Sequence, residues 1–476
     1  MKMRTSNTEH RTPNIEWRTA LRNHSMFVVR CSMFVVFLCL FLRSASAETL
    51  LLTNAVVHTV SGETYTNGGV LIQGDKIAKV FGDGAAENAS ADRILDLQGQ
   101  HLYPGMIAMD SALGLTEISA VRSTQDTTEV GDFTPDVQSW IAVNPDSELL
   151  PVTRANGIAY FEPVPQGNII SGQSGLVAMD GWTYEQMTIK KPVALHVFWP
   201  SMELDTAPRE KSRDPSKWKS LEDQAKERRA RLRSLADFFE EARAYAKAKR
   251  AAAAGHASAP EKIPAWEAML PYLPGEVIAG EPVSTPLPIV IHADEVRQIR
   301  SAIEWAGTNG SRIILAGGRD AWMVAGLLAT NKIPVIYENT FTQPARDTES
   351  YDVHFKAPEV LRRAGVTVAF SAGSDSFSAG MTRNLPYAAA QAVAFGLPED
   401  EALKGVTLYP AQLLGVGDRL GSIEAGKEAT LFVSDGDILD LRANVKQMWI
   451  AGKEVNLENR HTRLYEKYRN RPKPGN

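Results

Sequence analysis

The sequence predicts an α/β protein: a TIM-like (β/α)8 barrel with a small composite β-sandwich formed by the N- and C-terminal segments. Three observations lead there. Short β-runs with turn punctuation fill residues 50–97. From residue 106 onward, apolar strands alternate with helical stretches, the signature of a parallel sheet with helices packed outside it. After Leu420 the short β-runs return, and the two ends of a domain commonly lie close together.

The N-terminus reads as a secretory signal. Met33–Leu42 (MFVVFLCLFL) is a short apolar run preceded by Arg22 and Arg30 and followed by Ala45-Ser46-Ala47. A positive flank, a short apolar core and an A-x-A site together predict cleavage after Ala47, with the mature chain starting at Glu48 in the periplasm or outside the cell. An uncleaved anchor is the alternative, but the run is short for a bilayer span. Met26 is a second candidate start, since residues 1–25 are polar. Both cysteines, Cys31 and Cys39, lie inside this signal. The mature chain therefore has no disulfide and no cysteine ligand, and any metal must rest on histidine and carboxylate.

The first β-segment, residues 48–105, contains runs at Leu50–Thr59, Gly69–Gln73, Lys76–Phe81 and Ile94–Leu97, separated by Ser61-Gly62, Gly74-Asp75 and Gly99. Runs of this length between Gly, Asp and Asn read as hairpins. The barrel is expected over 106–415. Its clearest strands are Ile289–His292, Arg312–Ala316, Ile333–Tyr337 and Val366–Phe370, with helical stretches at Glu295–Ala306, Ala321–Ala329 and Pro358–Ala364. Alternation over this length favours a closed barrel over a shorter open sheet.

A charged insertion, about 208–255, interrupts the rhythm. Leu221, Ala225, Leu232, Leu235, Phe239, Ala242 and Ala246 form one apolar stripe on a long polar helix. It reads as a solvated helix packed on the barrel exterior, or else as an arm over the mouth of the barrel or a partner contact. The second β-segment, 416–460, has runs at Ala429–Val433 and Val445–Ile450 and is followed by a tail, 461–476.

The chain has 476 residues, and its net charge of −5 is spread along its length. That leaves no basic footprint for nucleic acid. A small-molecule substrate fits, no membrane span remains after signal cleavage, and a homo-oligomer stays open.

Several motifs occur in a telling order. They are Gly69-Val70-Leu71-Ile72, Gly74-Asp75-Lys76-Ile77, Asp96-Leu97-Gln98-Gly99 and Leu102-Tyr103-Pro104-Gly105-Met106-Ile107 near the start. Near the end come Thr407-Leu408-Tyr409-Pro410-Ala411, Leu414-Gly415 and Gly421-Ser422-Ile423-Glu424-Ala425-Gly426-Lys427-Glu428-Ala429. Together they resemble the opening and the tail of amidohydrolase-superfamily enzymes, imidazolonepropionase-like and dihydroorotase-like. The resemblance implies a hydrolase of C–N bonds in a small amide, imide or lactam, with zinc or another divalent metal as cofactor.

The resemblance also maps residues, and it marks departures. The family's His-x-His on the first barrel strand falls on Asp110 and Ala112, so Asp110 offers a carboxylate and Ala112 offers nothing. The fifth-strand histidine maps to His292. The sixth-strand histidine should follow Ile313-Ile314-Leu315, where the chain has Ala316. The eighth-strand aspartate, metal ligand and general base, maps to Asp375. The carboxylated lysine of the fourth strand has no clear counterpart; Lys191 stands near a strand without a motif. His196 is a further strand histidine able to substitute as a ligand. A hydrolytic zinc takes about three protein ligands plus water, which Asp110, His292 and Asp375, with His196, would supply. The alternative is a degenerate barrel that binds a ligand or partner without metal chemistry.

Other residues have two readings. His354 reads as a loop residue. Gly167–Gly175 (GNIISGQSG) lacks the lysine and spacing of a phosphate loop and reads as a tight barrel loop. Arg383 and Asn384 are candidate substrate contacts, although Asn384 equally suits the cap of a helix starting near Pro386. A two-lobed solute-binding protein is the third class, disfavoured because it has no need of the terminal β-segments.

Overall fold

The computed structural model of the chain describes residues 48–86, 89–212, 214–275, 277–278, 281–282 and 285–472. The expected signal peptide, residues 1–47, lies outside the described residues.

The terminal segments build one sheet by hydrogen bonding. Its strands are β1 (Thr49–His58), β2 (Thr64–Gln73), β3 (Lys76–Phe81), β4 (Arg93–Asp96) and β5 (His101–Pro104) from the first part of the chain. The later part adds β16 (Leu431–Ser434), β17 (Val445–Ile450) and β18 (Lys453–Glu454), in the order β18-β17-β16-β5-β1-β2-β3, with β4 also pairing β1. The joint between the two ends of the chain is the antiparallel pair β5–β16, with Leu431 opposite Pro104 and Ser434 opposite His101. Leu52, Val57, Val70, Ile72, Ile77, Leu102, Leu431, Val433 and Trp449 form its core. Residues from both ends are thus buried in one apolar cluster, and neither segment can bury its face alone.

The barrel sheet holds β6 (Met106–Ser111), β7 (Ile158–Pro163), β8 (Ile170–Ala178), β9 (Thr188–Phe198), β12 (Ile289–Ala293), β13 (Ile313–Gly317), β14 (Val335–Tyr337) and β15 (Val368–Phe370), in that spatial order. A parallel bridge between Ser111 and Gly373 brings the first and last strands together, so the eight strands nearly close. The short β10 (Val277–Ile278) and β11 (Glu281–Pro282) pair only with each other. The late strands expected from sequence appear within two residues of their forecast starts, because fully apolar runs between helices have no other stable place than a buried parallel strand.

One strand is reversed. β8 pairs antiparallel with both β7 and β9. Only residues 164–169 separate β7 from β8, too few for the crossover that a parallel neighbour requires. The glycine-rich run expected as a loop is therefore mostly strand: Ile170–Ala178 is buried throughout. Gly172 has φ +132°, and a Cβ there would meet the Val137 carbonyl oxygen at 2.7 Å. Glycine is needed at this position because the segment of 133–138 lies directly against the strand.

Helices cover the outside. The charged insertion becomes α1 (Leu221–Ala253), capped by Ser220 Oγ, which accepts the Asp223 N–H. Its buried stripe is Leu235, Phe239, Ala242, Tyr245 and Ala246; Leu221, at the start of the forecast stripe, is exposed. That stripe packs with Ile289, Ile291, Ile299 and Ile303 on the barrel's outer layer, with Phe239 edge-on to Trp305 at 4.8 Å between ring centroids. Helix α2 (Val296–Asn309) buries Ile299, Ala302, Ile303 and Ala306 at three- and four-residue steps and ends on Gly310 at φ +62°. Among the described residues no helix is long and apolar enough to cross a membrane.

Candidate metal centre

The mouth of the barrel, at the C-terminal ends of the parallel strands, gathers the ionisable residues. β6 delivers Asp110 with φ +50°, a left-handed conformation uncommon outside glycine. The β6–β7 register shifts between Ala108 and Ser111, so Asp110 sits in a bulge that re-aims its side chain. Ser371 Oγ donates to the Asp110 carbonyl at 2.9 Å, and the Asp110 N–H donates to Glu162 Oε2 at 3.2 Å. The unusual backbone is therefore held from both sides.

β12 delivers His292 and the end of β14 delivers Glu338. One ligand atom from each of Asp110, His292 and Glu338 lies within 4.8 Å of the others. His292 Nδ1 is 3.9 Å from Asp110 Oδ2, and the Phe198 ring stacks on the imidazole at 4.0 Å. Both carboxylate oxygens of Asp110 and Oε1 of Glu338 are buried without an N–H or hydroxyl donor in hydrogen-bonding geometry among the described residues, so that in the protein alone only a proton held between the two carboxyls joins them. Uncompensated buried carboxylates are costly.

The electrostatics express that conflict. Burial and then the Asp110 charge hold the Glu338 carboxyl well above its ordinary range. Burial works to raise Asp110 too, but His292, Glu338 and His196 outweigh it and hold that carboxyl low. Burial holds the His292 imidazole down to about 4, with the Asp110 charge opposing and His196 adding. The protein alone thus leaves two facing carboxylates sharing roughly one charge beside a neutral imidazole. A cation between them would satisfy the orphaned oxygens and remove the repulsion, so the residues present fit a divalent metal bound by one nitrogen and two oxygens.

Behind His292 runs a buried hydrogen-bonded chain. His196 on β9 faces Val290 in register, one pleat below His292. Its Nδ1 lies 3.1 Å from His292 Nε2, and its Nε2 lies 2.9 Å from Ser174 Oγ. Ser174 Oγ donates in turn to Glu162 Oε1 at 2.6 Å.

The amidohydrolase family model matches residues 288–455. The amidohydrolase tasK of Hapsidospora irregularis is 24% identical over 418 residues, 81% of this chain and 39% of that protein. An imidazolonepropionase of Mesorhizobium japonicum is 30% identical over 154 residues, 31% of this chain and 35% of that protein. The crystal structure of an amidohydrolase from Thermotoga maritima superposes with a TM-score of 0.71 at 25% identity, covering 86% of this chain and 99% of that one. The chain belongs to the amidohydrolase superfamily. The matches span less than two fifths of the length of the curated relatives tasK and the imidazolonepropionase.

As an amidohydrolase-superfamily member the chain has an unusual site. Of the residues expected from sequence, Asp110 and His292 come together in the cluster, and His196 stands directly behind His292 rather than within it. Asp375 does not join them. It is exposed, and its Oδ1 accepts the Phe377 N–H at 2.8 Å and the Ser378 N–H at 3.2 Å, while Ser378 Oγ donates to Oδ2. That is the geometry of a residue closing a turn, and it occupies the carboxylate. Arg383 and Asn384 line a different cavity with Asn156, Tyr387, Lys446 and His461. Asn384 precedes the helix Leu385–Ala394 but makes no side-chain cap bond. His354 is not a loop residue: it lies buried in the helix Val353–Arg363, its Nδ1 3.1 Å from the Tyr337 hydroxyl.

Three residues of the site went unread in the sequence: Glu338, Glu162 and Ser174. Two carried a signal. Glu338 directly follows the apolar run Val335-Ile336-Tyr337, at the strand end where barrel sites are built. Glu162 interrupts the apolar strand Ile158-Ala159-Tyr160-Phe161, and a buried lone charge in such a run needs a reason. Ser174 had no such mark.

Proposed function

We propose that this chain is a metal-dependent hydrolase of a non-peptide C–N bond in a small amide, imide or lactam, with Asp110, His292 and Glu338 holding a divalent cation such as zinc. The orphaned carboxylate oxygens of Asp110 and Glu338 beside a neutral His292 carry this reading. A cation bound there supplies an activated water and polarises a substrate carbonyl. Asp110 and Glu338 provide the negative charge that retains it, and Phe198, stacked on His292, fixes the imidazole plane. The backbone bonds to Glu162 and Ser371 keep Asp110 aimed at the mouth.

The second reading, a degenerate barrel that binds a ligand or partner, is favoured by Ala112 and Ala316, whose methyl groups stand where the resemblance places histidines. Metal content of the purified protein separates the two. One equivalent or more of zinc or manganese is expected, with loss of at least tenfold in affinity in His292→Ala and Glu338→Ala. No bound metal after growth with zinc and manganese, and no hydrolysis across acylated amino acids and cyclic imides, supports the degenerate barrel instead.

The same proposal includes export. The run Met33–Leu42 and the A-x-A site at 45–47 support a periplasmic or secreted protein. N-terminal sequencing of the mature protein should begin at Glu48; a chain that retains residues 33–47 speaks for an anchor.

A further inference from the structure

We infer that Glu162, Ser174 and His196 form a one-directional hydrogen-bond relay that fixes the tautomer of His292, leaving its Nδ1 lone pair free towards Asp110 and Glu338. The inference deepens the proposed metal site and rests on it only for its purpose; the tautomer itself is a property of the metal-free protein.

The direction follows from which groups can only donate or only accept. The Asp110 N–H can only donate, and it is aimed at Glu162 Oε2. A carboxylate can only accept, so the 2.6 Å contact between Glu162 Oε1 and Ser174 Oγ is made by the serine hydroxyl donating. With its hydrogen spent there, Ser174 Oγ accepts at 2.9 Å from His196, which must carry its proton on Nε2. The relay takes His196 with a single proton, on Nε2, so that its Nδ1 is a bare acceptor; a second proton on Nδ1 would reverse the bond to His292 and put the His292 proton on Nδ1, the outcome that overturns the relay in the test below. The bare Nδ1 of His196 accepts at 3.1 Å from His292, whose proton is accordingly on Nε2. Nδ1 of His292 is left as a bare lone pair on the side facing Asp110 Oδ2. All four members are buried or nearly so: His196 and Glu162 have fully enclosed side chains, and His292 is 10 % exposed. Water does not compete to scramble the order.

Glu162 thus has two duties. One oxygen holds the strained Asp110 backbone; the other sets the polarity of the chain ending at His292. The substitution Glu162→Gln separates them. The Asp110 N–H requires the amide oxygen at the Oε2 position, which places the amide NH2 against Ser174. Each bond along the relay then reverses: Gln donates to Ser174, Ser174 to His196 Nε2, and His196 Nδ1–H to His292 Nε2. The proton of His292 moves to Nδ1, where a cation would have to displace it. Ser174→Ala is the contrasting variant. His196 Nε2 already lies 3.4 Å from Glu162 Oε1, so the polarity survives without the serine.

The test is nitrogen-15 NMR of the imidazole rings in metal-free protein at neutral pH, with His292 assigned by its disappearance in His292→Ala. The wild-type and Ser174→Ala proteins should show His292 protonated on Nε2, and Glu162→Gln should show it protonated on Nδ1. Zinc affinity, titrated separately, should fall 10- to 100-fold in Glu162→Gln and far less in Ser174→Ala. Nδ1–H in the wild type overturns the relay, and so does an unchanged tautomer in a folded Glu162→Gln. If Glu162→Gln does not fold, the wild-type tautomer decides alone. A correct tautomer in a protein that takes up no metal keeps the relay and removes the proposed hydrolase instead.

Discussion

At the scale of single residues, position in the chain and position in space part company most clearly at Asp375. The motif Ser371–Ser376 places an aspartate just beyond the last barrel strand, yet its carboxylate is spent on Phe377, Ser378 and their turn. Asp375→Ala should therefore cost roughly 1 kcal/mol of stability, as the loss of a capping carboxylate does, and leave the metal content unchanged. Urea unfolding together with metal analysis checks both halves. Loss of metal in Asp375→Ala would show that the turn opens to deliver the carboxylate to the site. The same comparison explains what could be read in advance. His292 was legible because a polar residue closing the run Ile289-Val290-Ile291 points into the barrel mouth whatever the rest of the chain does. Asp110 was legible as a position, but the bulge and φ +50° that aim it depend on Glu162 and Ser371, residues 52 and 261 places away. No local pattern contains such a distance.

At the scale of elements, strands and helices with clean periodicity were read well, and elements decided by loop length were not. The apolar runs of β12 to β15 admit only a buried strand. β8 carries two glycines, Gly172 and Gly175, and reads as a loop until the short link from β7 is seen to force an antiparallel return. The charged helix α1 was legible as a helix; which part of its stripe is buried was not, because that depends on where the barrel surface ends. In the terminal sheet, β1 and β5 bring His58 and His101 together, with His58 Nε2 3.0 Å from His101 Nδ1 and the Tyr103 ring stacked on His58 at 4.2 Å. Burial, reinforced by His101 and opposed by Asp437, lowers His58 from 6.5 to about 4. Above pH 6.5 the ring is neutral whether the chain is folded or unfolded, and its contribution to stability is flat. Between 6.5 and about 4 the unfolded chain takes up a proton that the folded chain refuses, so stability falls as pH falls, by at most about 3 kcal/mol. The difference in unfolding free energy between the wild type and His58→Asn, followed from pH 7.5 to 4.5, should shrink on acidification; a constant difference would remove His58 as the cause.

At the scale of the whole molecule, the barrel and the terminal sheet meet along a seam that the chain crosses at Gly105. A Cβ there would lie 2.6 Å from the Ala159 side chain and 2.7 Å from that of Thr430, so β7 and the approach to β16 close directly on the backbone. The Gly105 N–H donates to the Thr430 carbonyl at 2.9 Å. Beside it, Tyr160 on β7 donates its hydroxyl to Glu428, a buried carboxylate that also receives Thr430 Oγ1 at 3.1 Å and Arg419 Nη2 at 3.2 Å. Burial and then the Glu428 charge keep the Tyr160 hydroxyl protonated far above its ordinary range, so it remains a donor at any working pH. A seam built on a buried charge with donors from the barrel strand β7 and from the segment that leads into β16 makes each unit part of the other's solvation. Thermal unfolding of the protein should accordingly be one cooperative transition. Tyr160→Phe leaves Glu428 with Thr430 and Arg419 alone and should lower stability by about 1–3 kcal/mol, the cost of depriving a buried carboxylate of one donor. Calorimetry of the two proteins tests the coupling. If Tyr160→Phe splits one transition into two, this bond is what joins the units; two transitions already in the wild type would mean that barrel and sheet fold independently and that the seam only tethers them.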